Sequence, residues 1–205
     1  KTRMICLCNP LNPTGKVFTR EELEELGRIA VKHNLLILSD EIWSDIIFKP
    51  AVFTSIASLD ESIIRQTILV TGFSKSYGLA GLRTGAVMAT NAQHFEKLVE
   101  HSRHQSTIHG ANILGQVAAT AALNECDDWL NNFLGHLQSM RDLTVNELNK
   151  LPGITCEMPE GCYLAFADIR QTGLDSSAMH EKLLKEAKVA VVPGLEQWFG
   201  TGAKG

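Results

Sequence analysis

Apolar residues in the first part of the chain fall into short continuous runs that polar turns separate. Such runs are typical of strands buried on both faces of a sheet. They lie at residues 3–8, 35–38, 67–71 and 85–89. Between the first two runs, Leu23, Leu26 and Ile29 recur at helical spacing, and Thr19 with Glu22 has the pattern of a capping box. This order of strand, helix and strand predicts an α/β fold with a largely parallel sheet.

A helical pattern replaces the strand pattern from Ala92 and continues to Lys150, with a break around residues 106–110. Pro152 and Gly153 then mark a boundary. We therefore predict three parts: residues 1–91 as part of a large domain, 92–150 as a helical connector, and 151–205 as an incomplete small α+β domain. The small domain is predicted to contain a hairpin over 154–169, a helix over 176–188 and a strand over 189–192.

Polar side chains follow three of the predicted strands. Asn12, Asp40 and Lys75 each come just after the carboxyl end of a strand, which is where ligands bind in open parallel sheets. A lysine near a carboxylate, an amide and Arg83 can form a Schiff base with an aldehyde. The aldehyde cofactor whose ring nitrogen pairs with a carboxylate is pyridoxal phosphate.

Three motifs make this interpretation specific: "NPLNPTG", "SDEIWSD" and "SKSYGLAGLR". In this order and spacing they resemble the fold type I pyridoxal-phosphate enzymes, the class I/II aminotransferases. The later "GCYLAFADIR" and "VAVVPG" resemble the small domain of that family, near its cystathionine β-lyase-like branch. The resemblance implies part of a three-layer, mostly parallel sheet domain followed by a small α+β domain. It covers roughly the second half of such an enzyme.

The resemblance also implies a role for each site residue. Lys75 would carry the cofactor as a Schiff base and move the substrate's α-proton. Asp40 would pair with the pyridine nitrogen, and Asn12 would hydrogen-bond the phenolic oxygen. Arg83 would bind the phosphate through its guanidinium fork, with Ser74 as a further phosphate contact.

Two positions depart from the family pattern. Trp43 stands where the family commonly has a tyrosine, and an indole can donate a hydrogen bond but cannot accept one. Gly72 stands where many relatives have a phosphate-binding serine. Arg83 favours a transaminase-like site, because the lyase branch often lacks an arginine there.

The implied function is amino-group transfer between an amino acid and a 2-oxo acid, by an enzyme that is a homodimer at full length. Two alternatives stay open. One is a pyridoxal-phosphate-dependent C–S β-lyase of the cystathionine β-lyase type. The other is a truncated, non-catalytic fragment, because the chain opens with Lys1 and enters a strand-like run almost at once.

Composition narrows the classes of partner. The 205 residues are 44% hydrophobic with a net charge of -4, which gives no electrostatic reason to expect nucleic acid or an anionic membrane. No apolar run approaches the roughly 20 residues that span a bilayer. Five cysteines without a C-x-x-C motif fit a reduced, cytoplasmic compartment, with Cys6 and Cys8 as core residues.

Two other site hypotheses fail on spacing. Gly15-Lys16 resembles the end of a nucleotide-binding phosphate loop, but Pro10 replaces its first glycine and Val17 its hydroxyl residue. His101, His104 and His109 do not share one helical face, so we predict a polar surface there and no metal site.

Overall fold

The computed structural model describes residues 2–104, 106 and 110–200. His109 lies outside these residues, as do most of the predicted helix break and the two ends on which the fragment hypothesis partly rests. Two compact units are distinguished. The first comprises Lys1–Gln138 with Pro159–Leu164, and the second comprises Ser139–Met158 with Ala165–Gly205. The predicted boundaries at residues 91 and 150 stay a prediction.

A four-stranded sheet forms the centre of the first unit. Its strands are β1 (Met4–Cys8), β2 (Leu36–Asp40), β3 (Thr67–Gly72) and β4 (Gly85–Ala89), in that spatial order. β1, β2 and β3 are parallel, and β4 pairs antiparallel with β3. The four strands predicted from the apolar runs are therefore confirmed, and the sheet is mixed but mainly parallel.

The first helix, α1 (Arg20–Lys32), begins at the capping box that the sequence predicts. Thr19 accepts a hydrogen bond from the main chain of Glu22, whose side chain in turn accepts from the Thr19 N–H. Asn34, with a φ of 51°, follows the helix in the left-handed conformation that asparagine tolerates.

The main hydrophobic core lies between α1, the sheet and the chain after β2. Its buried residues are Leu7, Leu23, Ala30, Leu35, Ile37, Ile56, Leu59 and Ile63. Gly27 allows the close approach of Ile63, because a Cβ atom at Gly27 would lie only 2.4 Å from the Ile63 Cδ1. Each fully buried leucine or isoleucine contributes about 1.5–3 kcal/mol to the free energy of unfolding.

The connections and the helical region follow the predicted order. Short helical turns lie at Ile56–Ser58 and Ala80–Leu82, and the α-helices are α2 (Glu61–Ile64), α3 (Ala92–Ser102), α4 (Ile113–Glu125) and α5 (Asp127–Leu148). Asn112 caps α4 by accepting a hydrogen bond from the Gly115 N–H at 2.7 Å. None of the helices among the described residues is long and apolar enough to cross a membrane.

The second unit contains the last part of α5, a short hairpin and further helical segments. β5 (Thr155–Cys156) pairs antiparallel with β6 (Ala167–Asp168), which confirms the predicted hairpin, although it has only these paired residues. A turn at Arg170–Thr172, α6 (Ser176–Lys182) with a π-turn at Leu183–Ala187, and α7 (Glu196–Phe199) complete the unit.

Two predictions are wrong. Residues 189–192 do not form a strand, because an apolar segment becomes a strand only beside a hydrogen-bonding partner, and none of the described segments pairs with it. Cys6 is exposed and Cys8 only half-buried. Both lie on β1, an edge strand of the described sheet, and Met4 on the same strand is 44% exposed.

Candidate cofactor site

The parallel strands bring three predicted site residues to one edge of the sheet. β1, β2 and β3 all end there, and Asn12, Asp40 and Lys75 lie at or just beyond these ends. β4 runs in the opposite direction, so its first residue, Gly85, pairs with Gly72 at the same edge. Arg83, two residues before β4, is thereby delivered to this rim as well.

A buried asparagine holds the turn that carries Asn12. The side chain of Asn9 donates to the Thr54 carbonyl and accepts from the Phe18 N–H, each at 3.1 Å. Its main-chain N–H donates to the carbonyl oxygen of Asp40 at 3.0 Å, which ties the ends of β1 and β2 together. The exposed Asn12 amide is therefore presented from a fixed turn next to Asp40.

The pKa of the Cys8 thiol is affected by both Asn12 and Asp40. Burial raises the pKa of Cys8, the main-chain N–H of Asn12 lowers it, and the negative charge of Asp40 raises it. Cys8 is also the register partner of Asp40 in the sheet. Asn12 and Asp40 thus flank a single side chain at the end of β1.

Adjacent acidic residues at the end of β2 have opposite surroundings. Asp40 is exposed, and its Oδ1 accepts a hydrogen bond from the Ile42 N–H at 3.1 Å. Glu41 is buried, and its Oε1 accepts from Ser39 Oγ, Ser55 Oγ and the Ile56 N–H at 3.1, 3.0 and 3.2 Å. Burial raises the pKa of Glu41 despite these bonds. Glu41 is an anchor for the loop, whereas Asp40 is available to a ligand.

Lys75 lies over an aromatic ring. Its Nζ is 4.9 Å from the centroid of the Trp43 ring, and Trp43 is only 3% exposed. Tyr163 packs edge-on against the same indole, with ring centroids 4.6 Å apart. The Trp43 face attracts the ammonium group by a cation–π interaction of about 0.5–2 kcal/mol.

The buried thiol of Cys162 lies close enough to Lys75 for the charge of the lysine to affect it. The Cys162 thiol is fully buried, and burial raises its pKa to about 12, with a further increase from Cys8 and a decrease from Lys75. Cys162 is therefore a neutral thiol at neutral pH. No local pattern in the sequence indicates the place of Cys162 near Lys75.

Arg83 has a left-handed backbone conformation, with a φ of 54°, and its side chain is exposed. The preceding carbonyl, of Leu82, accepts hydrogen bonds from Asn112 Nδ2 at 2.6 Å and Thr84 Oγ1 at 3.1 Å. This fixes the backbone beside Arg83 while leaving the guanidinium group at the surface. Ser74, the remaining predicted contact, is half-buried directly before Lys75.

The charged rim groups are uncompensated within the part of the chain that the structure describes. No ion pair there involves Asp40, Lys75 or Arg83. The described residues also hold no group of three or more potential metal-ligating side chains. An amine, a carboxylate and a guanidinium that lack ion-pair partners among the described residues fit a ligand that has an aldehyde, a basic ring nitrogen and a phosphate.

Sequence reasoning missed two residues that support Lys75. Ser76 is fully buried, and its Oγ donates to Asp45 Oδ2 at 2.5 Å. Both residues lie inside motifs singled out from the sequence, "SKSYGLAGLR" and "SDEIWSD". Motif membership was the available signal, but only the tertiary structure joins the two motifs.

Curated relatives of this chain are named as aminotransferases. The aspartate aminotransferase of Pyrococcus abyssi is 36% identical over 207 residues, which is 100% of this chain and 51% of that protein. The aromatic-amino-acid aminotransferase 2 of Thermococcus litoralis has the same identity, 36%, and the same shares, 100% and 51%. The chain spans about half the length of the curated relatives it matches.

Solved structures agree with the fold. The crystal structure of cystalysin from Treponema denticola, which contains a pyridoxal 5'-phosphate cofactor, matches 98% of this chain and 50% of its own, with a TM-score of 0.91 and 28% identity. The family described as aminotransferase class I and II matches residues 1–199. The chain therefore belongs to the class I and II aminotransferases.

Proposed function

We propose that the protein containing this chain is a pyridoxal-phosphate-dependent aminotransferase that acts on an amino acid and a 2-oxo acid. The observation that supports this proposal best is the rim itself. Lys75 lies beyond the end of β3 without an ion-pair partner in the described ranges, at the same sheet edge as Asp40 and Arg83. Relatives of this chain are named as aspartate and aromatic-amino-acid aminotransferases.

Each rim residue has a proposed task. The Nζ of Lys75 would hold the cofactor covalently and would then move a proton at the substrate's α-carbon. The Asp40 carboxylate would accept a hydrogen bond from the protonated ring nitrogen, and the Asn12 amide would donate to the phenolic oxygen. Arg83 and Ser74 would bind the phosphate. When bound, the cofactor supplies the aldehyde and an electron sink for charge that develops at the α-carbon.

Trp43 gives Lys75 a different neighbour from the tyrosine that the family commonly has at this position. Its indole has no acceptor atom, so it cannot accept a hydrogen bond from the phenolic oxygen or from the amine. Its ring face instead attracts the charged form of Lys75. We propose that Trp43 acts as an apolar wall that holds the protonated amine at the rim.

Reductive trapping tests the cofactor assignment. The purified protein is mixed with pyridoxal phosphate, its visible spectrum is recorded, and the adduct is reduced with borohydride and mapped by peptide analysis. We expect a visible band and modification at Lys75. Lys75→Ala should lose both, whereas Lys16→Ala should keep both, because Lys16 pairs with Glu22 beside α1, in an ion pair with an Nζ–Oε1 distance of 2.5 Å. Labelling spread evenly over surface lysines would contradict the proposal.

A product assay separates aminotransferase from the β-lyase alternative. The observation that keeps the lyase under consideration is similarity to a solved structure from Corynebacterium diphtheriae that is described as a putative PLP-dependent β-cystathionase, with 32% identity and a TM-score of 0.87. An aminotransferase consumes more than one equivalent of amino acid per active site only when a 2-oxo acid acceptor is present. Release of pyruvate and ammonia from a cysteine conjugate without an acceptor would identify the lyase instead. A chain that binds no cofactor and forms neither set of products would support the third alternative, a non-catalytic fragment.

We further propose that the protein works as a homodimer in the cytoplasm, without nucleic acid or membrane partners. All five cysteines are free thiols, which agrees with a reduced compartment. Sedimentation analysis of the longest natural polypeptide that contains this chain tests the dimer. Imaging of the tagged polypeptide tests the location.

A further inference from the structure

A hydrogen bond joins the Lys75 segment to the loop after β2. Ser76, the residue after the lysine, is fully buried, and its Oγ donates to Asp45 Oδ2 at 2.5 Å. A hydroxyl–carboxylate bond of this length is in the range of charge-assisted hydrogen bonds, which are about twice as strong as neutral ones. The bond links residues 31 positions apart in sequence.

The Lys75 segment has little regular structure of its own. Between β3 and the turn at Ala80–Leu82, the N–H groups of Tyr77 and Leu79 both donate to the Phe73 carbonyl, at 3.3 Å each. These bonds are long, and Gly78 follows with a φ of 67°, which a side chain would strain. The backbone next to Lys75 therefore depends on contacts with other segments for its position.

The loop that carries Asp45 is firmly held. Glu41, at its start, accepts the three hydrogen bonds described above, and Ile46, at its end, is fully buried. Between them, the Ile46 N–H donates to the Trp43 carbonyl at 2.9 Å. Trp43 and Asp45 are thus two points of one fixed loop.

Trp43 and Asp45 both contact the segment that carries Lys75. The Trp43 ring lies beneath the Nζ of Lys75, and Asp45 accepts the hydrogen bond of the neighbouring Ser76. The charge of Asp45 also reaches Tyr77, whose pKa is raised first by burial and then by Asp45. Asp45 therefore acts on the residues immediately after Lys75, whereas Trp43 acts on the end of its side chain.

We propose that Asp45 is a positioning residue for Lys75. Through Ser76 it fixes the backbone of the lysine, so that only side-chain rotations are needed for the Nζ to move between the Trp43 face and the cofactor's aldehyde carbon. This inference rests on the proposed function, because it assigns Lys75 the reacting amine. Fixing the backbone matters because a shift of about 1 Å in a reacting group can lower a rate about 100-fold.

The test measures how fast Lys75 itself reacts. Pyridoxal phosphate and borohydride are applied to the longest natural polypeptide that contains this chain, and the rate of labelling at Lys75 is followed by peptide mapping. We expect Ser76→Ala and Asp45→Ala to slow labelling of Lys75 about tenfold, the effect of losing a hydrogen bond to a charged group. Labelling of Lys16 serves as the internal reference.

Matched variants separate positioning from general stability. Ser76→Thr keeps the hydroxyl and should restore most of the Lys75 labelling rate. The double variant Ser76→Ala/Asp45→Ala should be no slower than the slower single variant, because each change removes the same bond. Ser102→Ala, which removes an exposed hydroxyl that donates to the Val99 carbonyl on α3, should leave the Lys75 rate unchanged. Asp45→Ala keeps the experiment informative if Ser76→Ala does not fold, because Asp45 is exposed.

The outcomes distinguish this inference from the proposed function. Variants that label Lys75 at the unsubstituted rate, or single effects that multiply in the double variant, would overturn the positioning role while leaving the cofactor assignment intact. Failure of the unsubstituted protein to label Lys75 would overturn the proposed function, and this inference with it.

Discussion

The two sides of the candidate site are supported very differently. At the end of β2 and β3, buried side chains tie the loops together: Glu41 is 4% exposed, and Trp43 and Ser76 are buried with it. Around β4, the neighbouring surface is open, and Val87 and Ile113 are 51% and 76% exposed. Buried groups among the described residues hold the segments that carry Asp40 and Lys75 in place. For Arg83, the contacts among the described residues hold the backbone and leave the side chain at the surface.

Of the substitutions that test this difference, we expect Glu41→Ala to lower the free energy of unfolding most. Glu41→Ala leaves the donors of Ser39, Ser55 and Ile56 without their acceptor in a buried site, and we expect a loss of about 2–4 kcal/mol in the free energy of unfolding. Urea unfolding measures it. The matched control is Glu41→Gln, which keeps an acceptor oxygen and should lose much less stability at pH 7. Equal losses of stability for Glu41→Ala and Glu41→Gln would show that these hydrogen bonds do not hold the loop after β2 in place.

A smaller effect is expected on the β4 side. Asn112→Ala removes both the cap of α4 and the hydrogen bond to the Leu82 carbonyl beside Arg83. We expect a loss of about 1–2 kcal/mol in the free energy of unfolding. Asn112→Ser retains a capping group and should recover part of it. If Asn112→Ala destabilised the protein as much as Glu41→Ala, the two sides would be equally anchored.

The pH dependence of stability sharpens the role of Glu41. Burial raises its pKa in the folded state above the ordinary value of 4.5, so the folded protein binds this proton more tightly than the unfolded chain does. The stabilisation by the protonated form is complete below pH 4.5 and is lost as the pH rises through the folded-state value. Glu41→Gln should therefore gain stability relative to the unsubstituted protein as the pH rises from 4 to 7. A constant difference across this range would exclude a raised pKa.

The smallest effect is expected on the open face of β4. Met88 is 50% exposed, so Met88→Thr should change the free energy of unfolding by less than about 0.5 kcal/mol. Leu69, its register partner on β3, is buried at 7% exposure, and Leu69→Thr provides the contrast. A large loss from Met88→Thr would show that this face is buried in solution.

Much of the fold follows from local patterns. The apolar runs predicted all four strands of the main sheet, and the Thr19–Glu22 capping box predicted the start of α1. The strand predicted over residues 189–192 failed, because apolar character shows that a segment prefers burial and does not show that it has a partner strand. Cys6 failed for a related reason, since an apolar run cannot tell an edge strand from a central one.

The candidate site was predictable to the extent that it is written in contiguous motifs. Asn12, Asp40 and Lys75 each follow a predicted strand, so parallel pairing alone places them at one edge. The partnership of Ser76 with Asp45 and the position of Trp43 beneath Lys75 were not predictable. Each joins segments that are distant in sequence, and their side-chain directions depend on how the loops fold.

The sequence by itself determined the order of elements, the family and the identity of the charged groups, because hydrophobic periodicity and motif spacing are properties of neighbouring residues. The tertiary structure alone decided which carboxylate is exposed and which is buried. Asp40 and Glu41 are adjacent and chemically alike, yet strand alternation turns one toward the rim and the other into a network of three donors. Burial and hydrogen bonding across distant segments make that distinction.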